Sequence, residues 1–109
     1  MAYEVVLTRR AERDRDRAYA WYAVHFSERF AERWYNGLSA AISRLAEKPN
    51  RYPKAYESSK FSFAVREVRF GSKRYKHRVL FTVRDETVLV LHIRHSSQRD
   101  LTEEELLGE

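Results

Sequence analysis

Apolar side chains recur along this chain with two periods, and the change of period divides it. Tyr3–Thr8 (YEVVLT) is rich in β-branched and aromatic residues and predicts a first strand. Thr8 is placed to cap a helix running from Arg9 to Phe26, whose charged side is opposed by Ala11, Ala18, Trp21, Tyr22 and Phe26. Ser27 offers a second cap. Beyond it Phe30, Ala31, Trp34, Tyr35, Leu38, Ala41, Ile42 and Leu45 recur at three- and four-residue steps, the signature of an amphipathic helix, and Pro49 ends it. Trp21, Trp34 and Tyr35 read as core at this spacing, rather than as a platform on which bases stack.

After a polar connecting loop, 50–60, which contains Pro53, the period becomes two. Strands are predicted at Phe63–Phe70, Tyr75–Arg84 and Thr87–His95, separated by the turns Gly71-Ser72-Lys73 and Asp85-Glu86. Connections this short make the three strands an antiparallel meander. The order is β-α-α-β-β-β. It implies a two-layer α+β domain, with the N-terminal strand and an α-helical hairpin packed on the antiparallel three-stranded meander. The domain should span 1–101 and leave 102–109 as a short polar tail, in which Thr102 and Glu105 have capping-box spacing ahead of Leu106 and Leu107.

Pairing Arg84 with Thr87, and Phe70 with Tyr75, assigns side chains to faces. Val68, Phe70, Val79, Phe81, Val83, Val88 and Val90 fall under the helices, with His77, His92 and Arg94 at the rim of that face. The opposite face carries Val65, Leu80, Leu89, Leu91 and Ile93, ringed by Glu67, Arg69, Lys76, Arg78 and His95. Two readings of this ring stand side by side. Glu67 and Arg78 form a cross-strand ion pair on a solvated face, or the ring is a site at which cations and one carboxylate converge. His95 lies near a strand end, and an imidazole is a side chain suited to serve as a general acid or base.

The 109 residues are enough for one domain. The absence of cysteine excludes disulfides, thiolate metal sites and a cysteine nucleophile. With 3 Gly there is no glycine-rich phosphate loop, and no serine sits in a nucleophile elbow. The 4 His lack carboxylates at ligand spacing, so neither a metal nor another cofactor is expected. Met1–Leu7 does not resemble a signal peptide and the longest apolar runs are a few residues, so a cytoplasmic protein with no membrane partner is expected. The charge is +5, with 21 Lys and Arg, most of them arginine. Arginine grips phosphate bidentately and stacks on bases, so this balance suits nucleic acid, a ribosome or an acidic protein, as against a basic but merely solvated surface.

Four segments together resemble the RelE/ParE superfamily of bacterial toxins: YEVVLTRRAERD, FAERWYNGLSAAISRLAEKPNRYP, VREVRFG and KHRVLFTVRDETVLVLHIRH. The resemblance implies a fold whose active face lies opposite the helices, and a small cognate antitoxin as partner. It implies one of two activities. RelE-like members cleave mRNA on the ribosome, whereas ParE-like members share the fold and act on DNA gyrase. On the RelE-like reading the chain is a ribosome-dependent mRNA endoribonuclease with ribosome and mRNA as partners. Arg78 would then stabilise the phosphate, His95 would act as acid or base and Glu67 as base, with Arg69, Lys76 and Arg99 holding substrate. The alternatives are a ParE-like toxin that binds gyrase without catalysis, and an inactive member that binds only its antitoxin. The open apolar face with Leu89, Leu91 and Ile93 is where an acidic antitoxin peptide is expected to fold.

Overall fold

The computed structural model describes residues 2–72 and 76–95. Helix α1 (Arg9–His25) starts at Thr8, whose hydroxyl accepts the Ala11 N–H at 3.1 Å. Helix α2 (Glu28–Ser43) starts at Ser27, which accepts the Phe30 N–H at 3.0 Å. Each cap satisfies an amide that the first helical turn leaves unpaired. α2 buries Ala31, Trp34, Leu38, Ala41 and Ile42, as its periodicity predicts. α1 fully buries only Ala11 and Tyr22. Trp21 and Phe26, expected in the core, are 49% and 42% exposed, and Trp21 stacks on the His25 ring at 4.2 Å. α2 stops short of Pro49: a 3-10 turn, Arg44–Ala46, follows it, and Lys48 takes a left-handed conformation (φ 46°) just before the proline. Gly37 lets α2 come close to the sheet, since a Cβ there would lie 2.8 Å from the tip of the Phe70 ring.

The sheet comprises β1 (Glu4–Leu7), β2 (Arg66–Phe70), β3 (His77–Arg84) and β4 (Thr87–His95), in the order β1-β4-β3-β2. The expected meander is present, and β1 joins it as a fourth strand, parallel to β4. The main core lies between the sheet and the helical hairpin, where Trp34, Leu38 and Leu45 meet Val79, Phe81, Val88 and Val90.

The β3–β4 register begins as the sequence predicts, from Arg84↔Thr87 to Phe81↔Val90, and then shifts at a bulge. Leu80 pairs with His92, Val79 with Ile93, Arg78 with Arg94 and His77 with His95. One extra residue turns the end of β4 over. Ile93, expected on the face away from the helices, therefore joins Val79 in the helix-side core. Between β2 and β3 the register differs by two residues, with Phe70↔His77, Arg69↔Arg78 and Glu67↔Leu80. An even shift leaves each side chain on its expected face.

The Thr8 cap and the Asp14 side chain of α1 secure the bulge. β1 pairs with β4 only as far as Val90, so the edge of β4 beyond it needs other partners. Thr8 supplies two hydrogen bonds: its N–H donates to the Val90 carbonyl at 3.0 Å and its hydroxyl to the Leu91 carbonyl at 3.2 Å. The Ile93 N–H donates to Asp14 Oδ2 at 3.0 Å, while Arg10 Nε donates to Asp14 Oδ1 at 3.1 Å. Asp14→Ala should cost about 1–3 kcal/mol, most of it from the orphaned Ile93 amide. Chemical denaturation measures the loss, and hydrogen exchange should show the Ile93 amide losing protection.

The predicted connecting loop is in fact a strap across the sheet face opposite the helices. The Ala55 N–H donates to the Val65 carbonyl at 2.8 Å, and the Glu67 N–H to the Pro53 carbonyl at 3.0 Å. The Val65 N–H donates to Ser58 Oγ at 2.9 Å, and Thr82 Oγ1 to the Ala64 carbonyl at 2.8 Å. A 3-10 turn, Tyr56–Lys60, lies within the strap. Beneath it Ala55, Val65 and Leu80 form a second core, flanked by Phe61, Phe63 and Leu91. The expected open apolar face is thus covered by the chain itself around Leu80 and Leu91. Among the described residues no helix is long and apolar enough to cross a membrane.

Candidate functional site

The strap carries the group that decides the character of the expected site. Glu57, in its 3-10 turn, is fully buried and meets Arg78 fork to fork: Arg78 Nη1 donates to Glu57 Oε2 at 3.1 Å and Nη2 to Oε1 at 2.8 Å. Arg78 also donates to Glu67 Oε1, from Nε at 3.1 Å and from Nη2 at 2.8 Å. Arg69, the cross-strand partner of Arg78, donates from Nε to Glu67 Oε2 at 3.0 Å. Two guanidiniums and two carboxylates form one neutral network, whose centre is sealed: the Arg78 side chain is 5% exposed. Arg69 lies at its solvent side. Paired, bidentate geometry is what allows a guanidinium to be buried at all. The hydrogen bonds to Glu57 and then to Glu67 hold the Arg78 pKa above its ordinary value against the opposing effect of burial, so the cation persists at any working pH.

The structure brings Glu67, Arg69 and Arg78 together as the sequence predicts, and places His95 elsewhere. His95 pairs with His77, its ring edge-on to the His77 ring with 5.3 Å between centroids. His77 in turn packs on Tyr22 and Trp34 of the helices and accepts a hydrogen bond from the Trp34 indole at 3.4 Å. Arg78 and His95 therefore belong to opposite faces, a direct consequence of the bulge. Lys76 directly precedes β3 and is half-buried. Arg99 lies outside the described residues, as does the capping-box segment of the tail. Two functional-looking groups escaped the sequence: Glu57, hidden among polar residues that read as a loop, and Asp14, one of many charges on α1. Among the described residues no group of three or more His, Asp or Glu side chains is arranged to hold a metal ion.

A family model described as the ParE toxin of the type II toxin–antitoxin system parDE matches residues 5–100. The chain belongs to this toxin family. It is thereby a member of the RelE/ParE superfamily, and the strand and helix order of the fold agrees. No curated protein matches the sequence. Among solved structures, the chain is similar to a chromosomal ParDE toxin–antitoxin system from P. aeruginosa, with a TM-score of 0.70 at 20% identity, over 86% of this chain and 96% of that one. It is also similar to a double arginine-to-alanine variant of the E. coli toxin RelE in the free state, with a TM-score of 0.56 at 15% identity, covering 88% of this chain and 85% of that one. A toxin–antitoxin complex of the RelBE type from Mycobacterium tuberculosis gives 0.55 at 22% identity, over 87% and 99% of the two chains. At these identities the likeness is one of fold.

Proposed function

We propose that this family member acts in the ParE manner, by binding DNA gyrase rather than by cutting mRNA, and that a small antitoxin neutralises it. One observation carries the choice: Arg78, the cation on which phosphate chemistry would depend, is already bound through both Nη atoms by the buried Glu57 carboxylate. A phosphate entering there would have to displace Glu57 and strand its charge in the protein interior. The expected acid or base offers no remedy, since His95 stands on the other face. The family model and the ParDE structure support the same reading, and the complexes among the similar structures support an antitoxin partner.

Purified toxin added to gyrase should inhibit supercoiling and accumulate cleaved DNA, while transcripts in a translating extract stay intact by primer extension. Cut transcripts together with unimpaired supercoiling would overturn the proposal in favour of the RelE-like endoribonuclease. A chain that arrests neither process yet binds the product of its neighbouring gene would be the inactive alternative.

A further inference from the structure

The outer face of α1 carries groups that neither the core nor the Arg78 network uses. Arg9, Arg13, Arg17 and Trp21 follow one another along it in steps of four residues, and all are exposed. Residues four apart on a helix lie about 6 Å apart along its axis and about 40° round it, so the four form a line that winds slowly over the surface. Among the described residues neither Arg9 nor Arg17 has a hydrogen-bond or ion-pair partner. The helix holds five arginines and three acids. Two of the acids, Asp14 and Asp16, accept from Arg10 and Arg15. That leaves Arg9, Arg13 and Arg17 against Glu12, and the face is cationic.

The line ends on an aromatic step. His25 Nδ1 donates to the Trp21 carbonyl at 3.0 Å, and its ring lies against the indole, with 4.2 Å between centroids and 13° between planes. Tyr22 and Phe26 meet the same indole steeply, at 81° and 73°. Three aromatic neighbours hold the Trp21 ring in place, yet it keeps half its surface in water. A fixed, exposed indole in line with arginines is the opposite of the core residue that its helical spacing predicts.

We propose that this face of α1 binds single-stranded nucleic acid, with arginines on the phosphates and a base stacked on Trp21. The charge calls for an anionic partner, and the indole selects among anions: every base has a π-face to stack, whereas an acidic peptide carries no such ring at each charge. A duplex keeps its bases stacked on one another and leaves Trp21 nothing to do. A flexible strand can also follow a winding line of contacts. DNA and RNA share this chemistry. The inference goes beyond the gyrase reading and does not rest on it.

Fluorescence anisotropy of a labelled short oligothymidylate, titrated with the full chain, is the test. Binding should weaken with salt, each arginine that neutralises a phosphate adding about −0.7 to the log–log slope. Arg17→Gln should weaken binding about tenfold and make that slope shallower by about 0.7. Trp21→Ala should also weaken binding about tenfold but leave the slope unchanged, and Trp21→Phe should restore most of the loss. Arg44→Gln removes the same charge from an exposed site off the line and should leave the slope as it is. Circular dichroism checks that each variant is folded. An oligouridylate run in parallel separates the two sources, the tighter of them being the ligand class. Unchanged binding in Arg17→Gln or in Trp21→Ala, a duplex of equal length that binds more tightly than the single strand, or a glutamate-rich peptide that displaces the label at lower concentration than unlabelled oligonucleotide would each overturn the proposal.

Discussion

Arg78→Ala should destabilise the domain by about 3–5 kcal/mol, the usual cost of removing one partner from a buried ion pair. Read as a residue on an open sheet face, Arg78 would cost about 1 kcal/mol or less to remove, because a solvated partner simply rehydrates. Its actual neighbours cannot. Glu57 is fully buried and the Glu67 side chain is 11% exposed, so the substitution strands one carboxylate outright and leaves the other with Arg69 alone. The loss of growth arrest in such a variant would therefore report the fold and not a catalytic role. A cycle with Glu57→Leu and Arg78→Met separates the two effects. Each single change leaves an uncompensated charge inside, whereas the double variant removes the strongest bidentate pair as a unit, and should recover about 1–3 kcal/mol relative to the sum of the singles. A denaturation midpoint for Arg78→Ala equal to that of the parent would mean that the network contributes nothing and that Arg78 is available for other work.

Leu80→Ala should be nearly as damaging, at about 2–5 kcal/mol, the range for truncating a fully buried leucine. Leu80 has no exposed surface, yet it lies on the sheet face away from the helices. Its neighbours there are Ala55 and Val65, with Phe61, Phe63 and Leu91 around them. On an uncovered face the same change would fall within about 0.5 kcal/mol of neutral. The damage should be local before it is global: amides that tie the strap down, at Ala55 and Val65, should exchange faster than those between β3 and β4. Chemical denaturation gives the total and hydrogen exchange its distribution. Retained protection at Ala55 and Val65, with an unchanged midpoint, would show that the strap is held by its hydrogen bonds alone.

These two residues also mark where sequence reasoning reached and where it stopped. Helix α2, both N-terminal caps and the meander were legible because each rests on local patterns: a 3.6-residue repeat, a hydroxyl before a helix, an alternation between short turns. Even the misplaced β2–β3 register did no harm, since a two-residue slip preserves faces. The bulge was invisible, because the groups that secure it lie in α1 and its cap, where Asp14 and Thr8 take up the Ile93 amide and the Leu91 carbonyl. No alternation within β4 signals it, and it alone carries His95 away from Arg78. Glu57 was hidden for a related reason. Its role is defined by a residue 21 positions away, and YESSK has no periodicity to suggest that its acid points inward.

Strand β1 ties residues 4–7 to residues 87–90, the widest span of any strand pairing in the sheet. Synthesis runs from one to the other, so β1 must wait, its edge unsatisfied, until nearly the whole described chain has left the ribosome. The helical hairpin and the β3–β4 hairpin rest on contacts between near neighbours and can form earlier, while the closing step pays the loop entropy of the entire intervening chain. The order of assembly is therefore local pieces first and parallel pairing last. Until that pairing closes, the stretch of β4 from Thr87 to Val90 keeps one edge open.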